Sequence, residues 1–141
     1  MKILVIADDP AMTDLLRMIL DATGSEIIIA NSGQKGLEIA RQNTPDIIIL
    51  DLMMQGTDGW TVCRAVRIFS SVPILVLSAL NSPSIVASSL DAGADDYLVK
   101  PVPNAVLLAH IQNLVKRTSP VYACDRNATS KKNVILRPRL F

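Results

Sequence analysis

Short apolar runs alternate with longer stretches in which apolar residues recur every three or four positions, from the start of the chain to about residue 117. The runs KILVIA (2–7), SEIIIA (25–30), DIIIL (46–50), VPILVLS (72–78) and DYLVK (96–100) are rich in β-branched residues and too short for helices. They predict five strands. Between them the period becomes helical. The clearest stripe is Met12, Leu15, Leu16, Ile19 and Leu20, at i, i+3, i+4, i+7 and i+8, with Asp9 as N-cap, Pro10 at the first helical position and Gly24 as the C′ stop. Further helices are expected near 33–43, 58–69, 83–91 and 103–117. Ser82-Pro83 repeats the cap-then-proline start, and Gly93 marks the end of the fourth helix.

Strands that are apolar on both faces need cover on both sides, and a strand–helix repeat with short connections supplies it through right-handed crossovers. The predicted fold is α/β, a doubly wound five-stranded parallel sheet with five helices. Ligands of such sheets bind outside the carboxyl ends of the strands, where the strand order reverses. Those ends carry Asp8 and Asp9 after the first strand, Asp51 after the third, Ser78 closing the fourth and Lys100-Pro101 closing the fifth. Taken singly, aspartates cap helices, serines end strands and lysines face water. Their meeting on one edge asks for a common cause. In a 2-1-3-4-5 order the first and third strands are neighbours, which sets Asp8 and Asp51 about 5 Å apart. Two carboxylates at that separation repel by about 3 kcal/mol at an effective dielectric of ~20, so a cation or proton belongs between them. A hard, oxygen-liganded ion such as Mg2+ meets that need and leaves a position for a phosphoryl oxygen. Lys100 adds a second positive charge and Ser78 a hydroxyl donor, so the edge suits an anion.

Composition narrows the picture. A chain of 141 residues holds one domain, and no apolar run approaches the ~20 residues of a membrane helix. The start, MKILVIADD, turns acidic before a signal-peptide core forms, so a cytoplasmic protein is expected, with no membrane partner. Cys63 and Cys124 have no metal-site or redox spacing. Residues 1–118 carry 9 basic and 12 acidic groups, against 5 and 1 in residues 119–141. The expected division is therefore a domain at 1–118 and a basic, polar tail or linker at 119–141. Within that tail, VILRPRL has the makings of a short strand confined by its proline to an edge or terminus.

The segments DLMMQGTDGW (51–60), PILVLSA (73–79) and AGADDYLVKP (92–101) resemble the signature blocks of response-regulator receiver domains of two-component signalling, at the spacing those domains use. The similarity runs across residues 2–117, and among receivers it is greatest to those of winged-helix, DNA-binding response regulators. The resemblance implies a flavodoxin-like receiver fold with strand order 2-1-3-4-5. It further implies that Asp51 accepts a phosphoryl group from the phosphohistidine of a sensor histidine kinase, and that Mg2+ is held by Asp8, Asp51 and the Met53 carbonyl. Ser78 and Lys100 would hold the phosphoryl oxygens, Tyr97 would be the aromatic coupled to Ser78, and Lys100-Pro101 would be a cis peptide. The implied activity is Mg2+-dependent self-phosphorylation and dephosphorylation, not the turnover of an ordinary enzyme. Its output is a changed surface on the fourth helix, fifth strand and fifth helix. The fourth helix has only Ile85, Val86 and Leu90 as large apolar residues, which suits a moving part.

Several positions depart from the family pattern. Counted back 43 residues from Asp51, Asp8 takes the metal position and Asp9 the cap, while Ala7 stands where a second acid is usual. Weaker Mg2+ binding follows. Gln55 replaces a usual proline, Ser78 is the smaller of the permitted hydroxyl residues, and Val102 replaces a phenylalanine. Val106, His110 and Gln112 replace charged residues of a dimer face, and His110 reads as a surface helix residue. Trp60, Met53 and Met54 read as packing and loop residues. Two functions remain open: a phosphorylatable switch, and a degenerate receiver acting as a phosphorylation-independent interaction module. A flavin enzyme of the same topology would need a phosphate-cradling loop after the first strand, where ADDPAMTD is acidic. An effector domain or protein partner is expected downstream of the switch. No winged helix fits in residues 119–141, so DNA contact would require a domain absent from this chain.

Overall fold

A computed structural model describes residues 1–56 and 58–118. Five strands, β1 (Lys2–Ile6), β2 (Glu26–Ala30), β3 (Ile47–Asp51), β4 (Ile74–Ser78) and β5 (Asp96–Val99), alternate with five helices. The helices are α1 (Pro10–Asp21), α2 (Gly33–Asn43), α3 (Gly59–Phe69), α4 (Pro83–Asp91) and α5 (Asn104–Thr118). All strand pairs are parallel, in the order β2-β1-β3-β4-β5. The doubly wound α/β sheet predicted from the runs is the observed one, and its elements lie within two residues of their expected bounds.

Strand side chains alternate between two cores. Leu4, Ile6, Ile48, Leu50, Ile74 and Val76 enter one cluster with residues of α2 and α3, whereas Ile3, Val5, Ile47, Ile49, Leu75 and Leu77 enter the other with α1 and α5. The three central strands are buried almost throughout, while edge strands β2 and β5 are only partly so. This is why β1, β3 and β4 read as continuous apolar runs. Met54 and Trp60 pack against the first cluster, and Met53 is exposed.

Helix ends follow local chemistry with two refinements. Asp9 caps α1 by accepting a hydrogen bond from the Ala11 N–H at 3.1 Å, with Pro10 opening the helix. The C-cap is Ala22, so left-handed Gly24 (φ 77°) stands one position beyond the expected C′ site; the Thr23 hydroxyl binds the Leu20 carbonyl in between. Ser82 occupies the N-cap of α4, yet its side chain makes no cap bond and meets the Ser84 hydroxyl instead. Within α4 only Ser89 is buried, and Leu90 points outward. α5 runs to the last described residue. The suggested VILRPRL strand and the tail lie outside the described residues.

Candidate functional site

Asp51 is the last residue of β3 and continues the odd-numbered series that faces α1 and α5. It is 4 % exposed, the one buried charged residue among those described. Its Oδ1 accepts from the Met53 N–H at 3.0 Å, and its Oδ2 lies 3.5 Å from the Lys100 Nζ. That separation is an ion pair without close hydrogen-bond contact. The other Lys100 contact is the Met12 thioether sulfur at 3.1 Å, a weak acceptor on α1. Lys100 therefore arrives at Asp51 with hydrogen-bonding capacity to spare. The Lys100–Pro101 peptide is cis.

Asp8 follows β1. The register pairs Ile6 with Leu50, so the next residue, Ala7, stands level with Asp51, and Asp8 lies one step further. Asp8 and Asp51 are thus offset by one residue along the strand direction. The link between the two acids is the β3–α3 loop: Gln55 N–H donates to Asp8 Oδ2 at 2.8 Å while Met53 N–H holds Asp51. Ala7 is 1 % exposed and packs with Val5 and Leu77 in the α1–α5 core, leaving only a methyl group beside Asp51. Asp9 serves as the cap, and Ile3 and Val5 stay buried, so a slip that would promote Asp9 to the site does not occur.

The loop is closed by a contact that only glycine permits. Gly59 N–H donates to the Leu52 carbonyl at 3.3 Å, and a Cβ on Gly59 would lie 2.8 Å from the Leu52 Cα. Asp58 then caps α3 through the Thr61 N–H at 2.8 Å, and that bond holds its carboxyl below the usual carboxylate value.

Ser78 ends β4 fully buried, its Oγ accepting from the Leu80 N–H at 3.1 Å. The Leu80 carbonyl in turn accepts from the Tyr97 hydroxyl at 2.7 Å. One residue of the β4–α4 loop therefore joins Ser78 to Tyr97. His110 lies at the surface of α5 as expected, and its Nδ1 pairs with Asp96 Oδ2 at 2.5 Å, bridging α5 to β5. That pair lay outside the sequence reading, because contacts between elements leave no periodic trace.

The Asp8 and Asp51 carboxylates are hard-oxygen donors of the kind that Mg2+ takes together with several retained waters. Among the described residues no three His, Cys, Asp or Glu side chains cluster as a metal cage. Cys63 is buried away from this edge and its thiol is pushed up to about 11 by desolvation, which makes it inert. Among the described residues no helix is long and apolar enough to cross a membrane.

The model of the response regulator receiver domain matches residues 3–112. The response regulator MprA of Mycobacterium leprae is 42 % identical over 139 residues, covering 98 % of this chain and 61 % of that protein. The transcriptional regulatory protein AfsQ1 of Streptomyces coelicolor is 42 % identical over 116 residues, 82 % of this chain and 52 % of that one. The chain thus spans little more than half the length of these relatives. Among solved structures, the BeF3-activated N-terminal receiver domain of Klebsiella pneumoniae RstA superposes with a TM-score of 0.78 at 34 % identity, covering 82 % of this chain and 98 % of that one. The receiver domain of the Francisella response regulator 1452 gives 0.79 at 31 %, covering 84 % and 98 %.

Proposed function

The chain belongs to the family of response-regulator receiver domains, and from that premise we propose that Asp51 accepts a phosphoryl group from the phosphohistidine of a sensor histidine kinase. The observation that carries this reading is the Asp51 carboxylate itself, buried at a strand end with Lys100 Nζ 3.5 Å away. An Asp51 oxygen attacks phosphorus as the P–N bond to the kinase histidine breaks, giving an acyl phosphate. Catalysis of this kind is mostly positioning and charge neutralisation. Asp8, Asp51 and the Met53 carbonyl would hold Mg2+, which offsets charge between carboxylate and phosphoryl oxygens. Lys100 leaves its thioether contact to meet a phosphoryl oxygen, a far stronger acceptor.

The Ser78 hydroxyl donates to another phosphoryl oxygen. Turning to do so releases the Leu80 N–H, and with it the peptide that Tyr97 holds. α4, anchored by few buried side chains, then shifts with β5 and α5. In this reading residues 1–118 are the receiver and 119–141 its tail or linker, in a cytoplasmic protein. An effector domain or protein partner reads the switch, and any DNA contact runs through such a domain. Binding of Mg2+ is weak because Ala7 supplies no second acid.

The test is intact-mass measurement after Mg2+ and a small-molecule phosphodonor. One acid-stable, base-labile phosphoryl adduct is expected, absent in Asp51→Asn. A well-folded chain that takes no adduct would favour the second reading, a phosphorylation-independent interaction module. Buried Ala7 beside Asp51 is the observation on that side.

A further inference from the structure

The β3–α3 loop turns two main-chain donors on the two acids of the site. Met53 N–H is bound to Asp51 Oδ1 at 3.0 Å and Gln55 N–H to Asp8 Oδ2 at 2.8 Å. The residues are two apart, and Gly56, at φ 85°, supplies the left-handed step directly after Gln55 that L side chains resist. The amide hydrogens thus offset negative charge on the same two carboxylates that would bind a cation. A cation and the positive end of an N–H dipole repel, and a hydrogen-bonded oxygen has a lone pair already engaged. Under the metal reading above, the Met53 carbonyl belongs to the same ion, so this short stretch carries both a ligand and the two donors.

We propose that the Gln55 main-chain N–H is a latch on Asp8 that competes with the divalent cation, so that cation binding and loop rearrangement are one event. The latch rests on the reading of Asp8 as a metal ligand. It acts through Asp8 and makes Gln55 a positioning residue. Its chemistry lies in the backbone, so the side chain of residue 55 matters only where it deletes the N–H.

Two measurements on the full chain test this. In the first, Mg2+ affinity is compared for the parent, Gln55→Pro and Gln55→Ala. Removing the donor in Gln55→Pro should tighten Mg2+ by about tenfold, the scale of groups that act through a ligand, whereas Gln55→Ala keeps the N–H and stays within about twofold. In the second, the Gln55 amide proton of the parent chain is followed by NMR. It should start at low field, and Mg2+ should move it upfield toward its position in Asp8→Ala. Equal or weaker binding by Gln55→Pro overturns the latch, as does a Gln55 amide that stays at low field in Mg2+-saturated parent protein. Failure of parent and variant alike to bind Mg2+ overturns the latch and the metal reading together, so the two failures are distinct.

Discussion

The two ends of this sheet use the same kinds of side chain to opposite effect. At the amino-terminal end, Arg67 from α3 donates to the carbonyls of Gly93, Ser70 and Val72 and to Asp95 Oδ2 at 2.8 Å, and that same oxygen takes the Ile74 N–H. Lys2 also ties elements together at this end, its N–H on Asp46 and its Nζ on the Asn43 carbonyl. At the carboxyl end, the Lys100 side chain faces Asp51 at 3.5 Å and otherwise touches a thioether. A charge held by several fixed acceptors, as Arg67 is, holds structure together. A charge left short of partners, beside a buried carboxylate, is ready for a ligand, and the contrast separates the framework of this domain from its chemistry.

The comparison can be broken from either end. Arg67→Ala should have the largest effect on stability, a loss of about 3 kcal/mol, because it strips a donor from three carbonyls at once and breaks the ion pair to Asp95, which keeps the Ile74 N–H. Chemical denaturation would measure it, and a loss within about 0.5 kcal/mol, the range of ordinary surface changes, would mean the clamp is dispensable. Mg2+ affinity in that variant should be unchanged while the fold persists.

Smaller effects sharpen the other end. Ala7→Asp puts a carboxylate level with Asp51 and should tighten Mg2+ several-fold. Without the cation it should lower the melting temperature, since the new acid sits in a site now 1 % exposed. Asp9→Ala should leave Mg2+ binding alone and cost about 1 kcal/mol through loss of the α1 cap. The reverse pattern, with affinity collapsing in Asp9→Ala and no gain in Ala7→Asp, would place the working acids one residue along.

Much of this was legible in the residue order. Strands β1, β3 and β4 are long apolar runs because both faces are buried, and the Asp9-Pro10 start of α1 follows from local capping chemistry. The placing of Asp51 and Ser78 at the carboxyl ends of β3 and β4 followed from the winding alone. What escaped was set by distance along the chain or by the backbone. The register that puts Ala7, not Asp8, beside Asp51 depends on how two strands 44 residues apart slide past each other. The His110–Asp96 and Arg67–Asp95 pairs join separate elements. Donation by Gln55 and Met53 uses N–H groups that every residue but proline possesses, so no side chain announces it.

The central claim, that Asp51 is the acceptor, is tested most directly by locating the phosphoryl group within one peptide. Borohydride reduction turns an acyl phosphate into the stable homoserine side chain, and tryptic cleavage after Arg41 and Arg64 releases residues 42–64. That peptide holds Asp46, Asp51 and Asp58, so two aspartates serve as internal controls. Fragment masses should place homoserine at position 51 alone, in a chain treated with Mg2+ and phosphodonor. Homoserine at position 46 or 58, or none in this peptide while another carries it, would contradict the account.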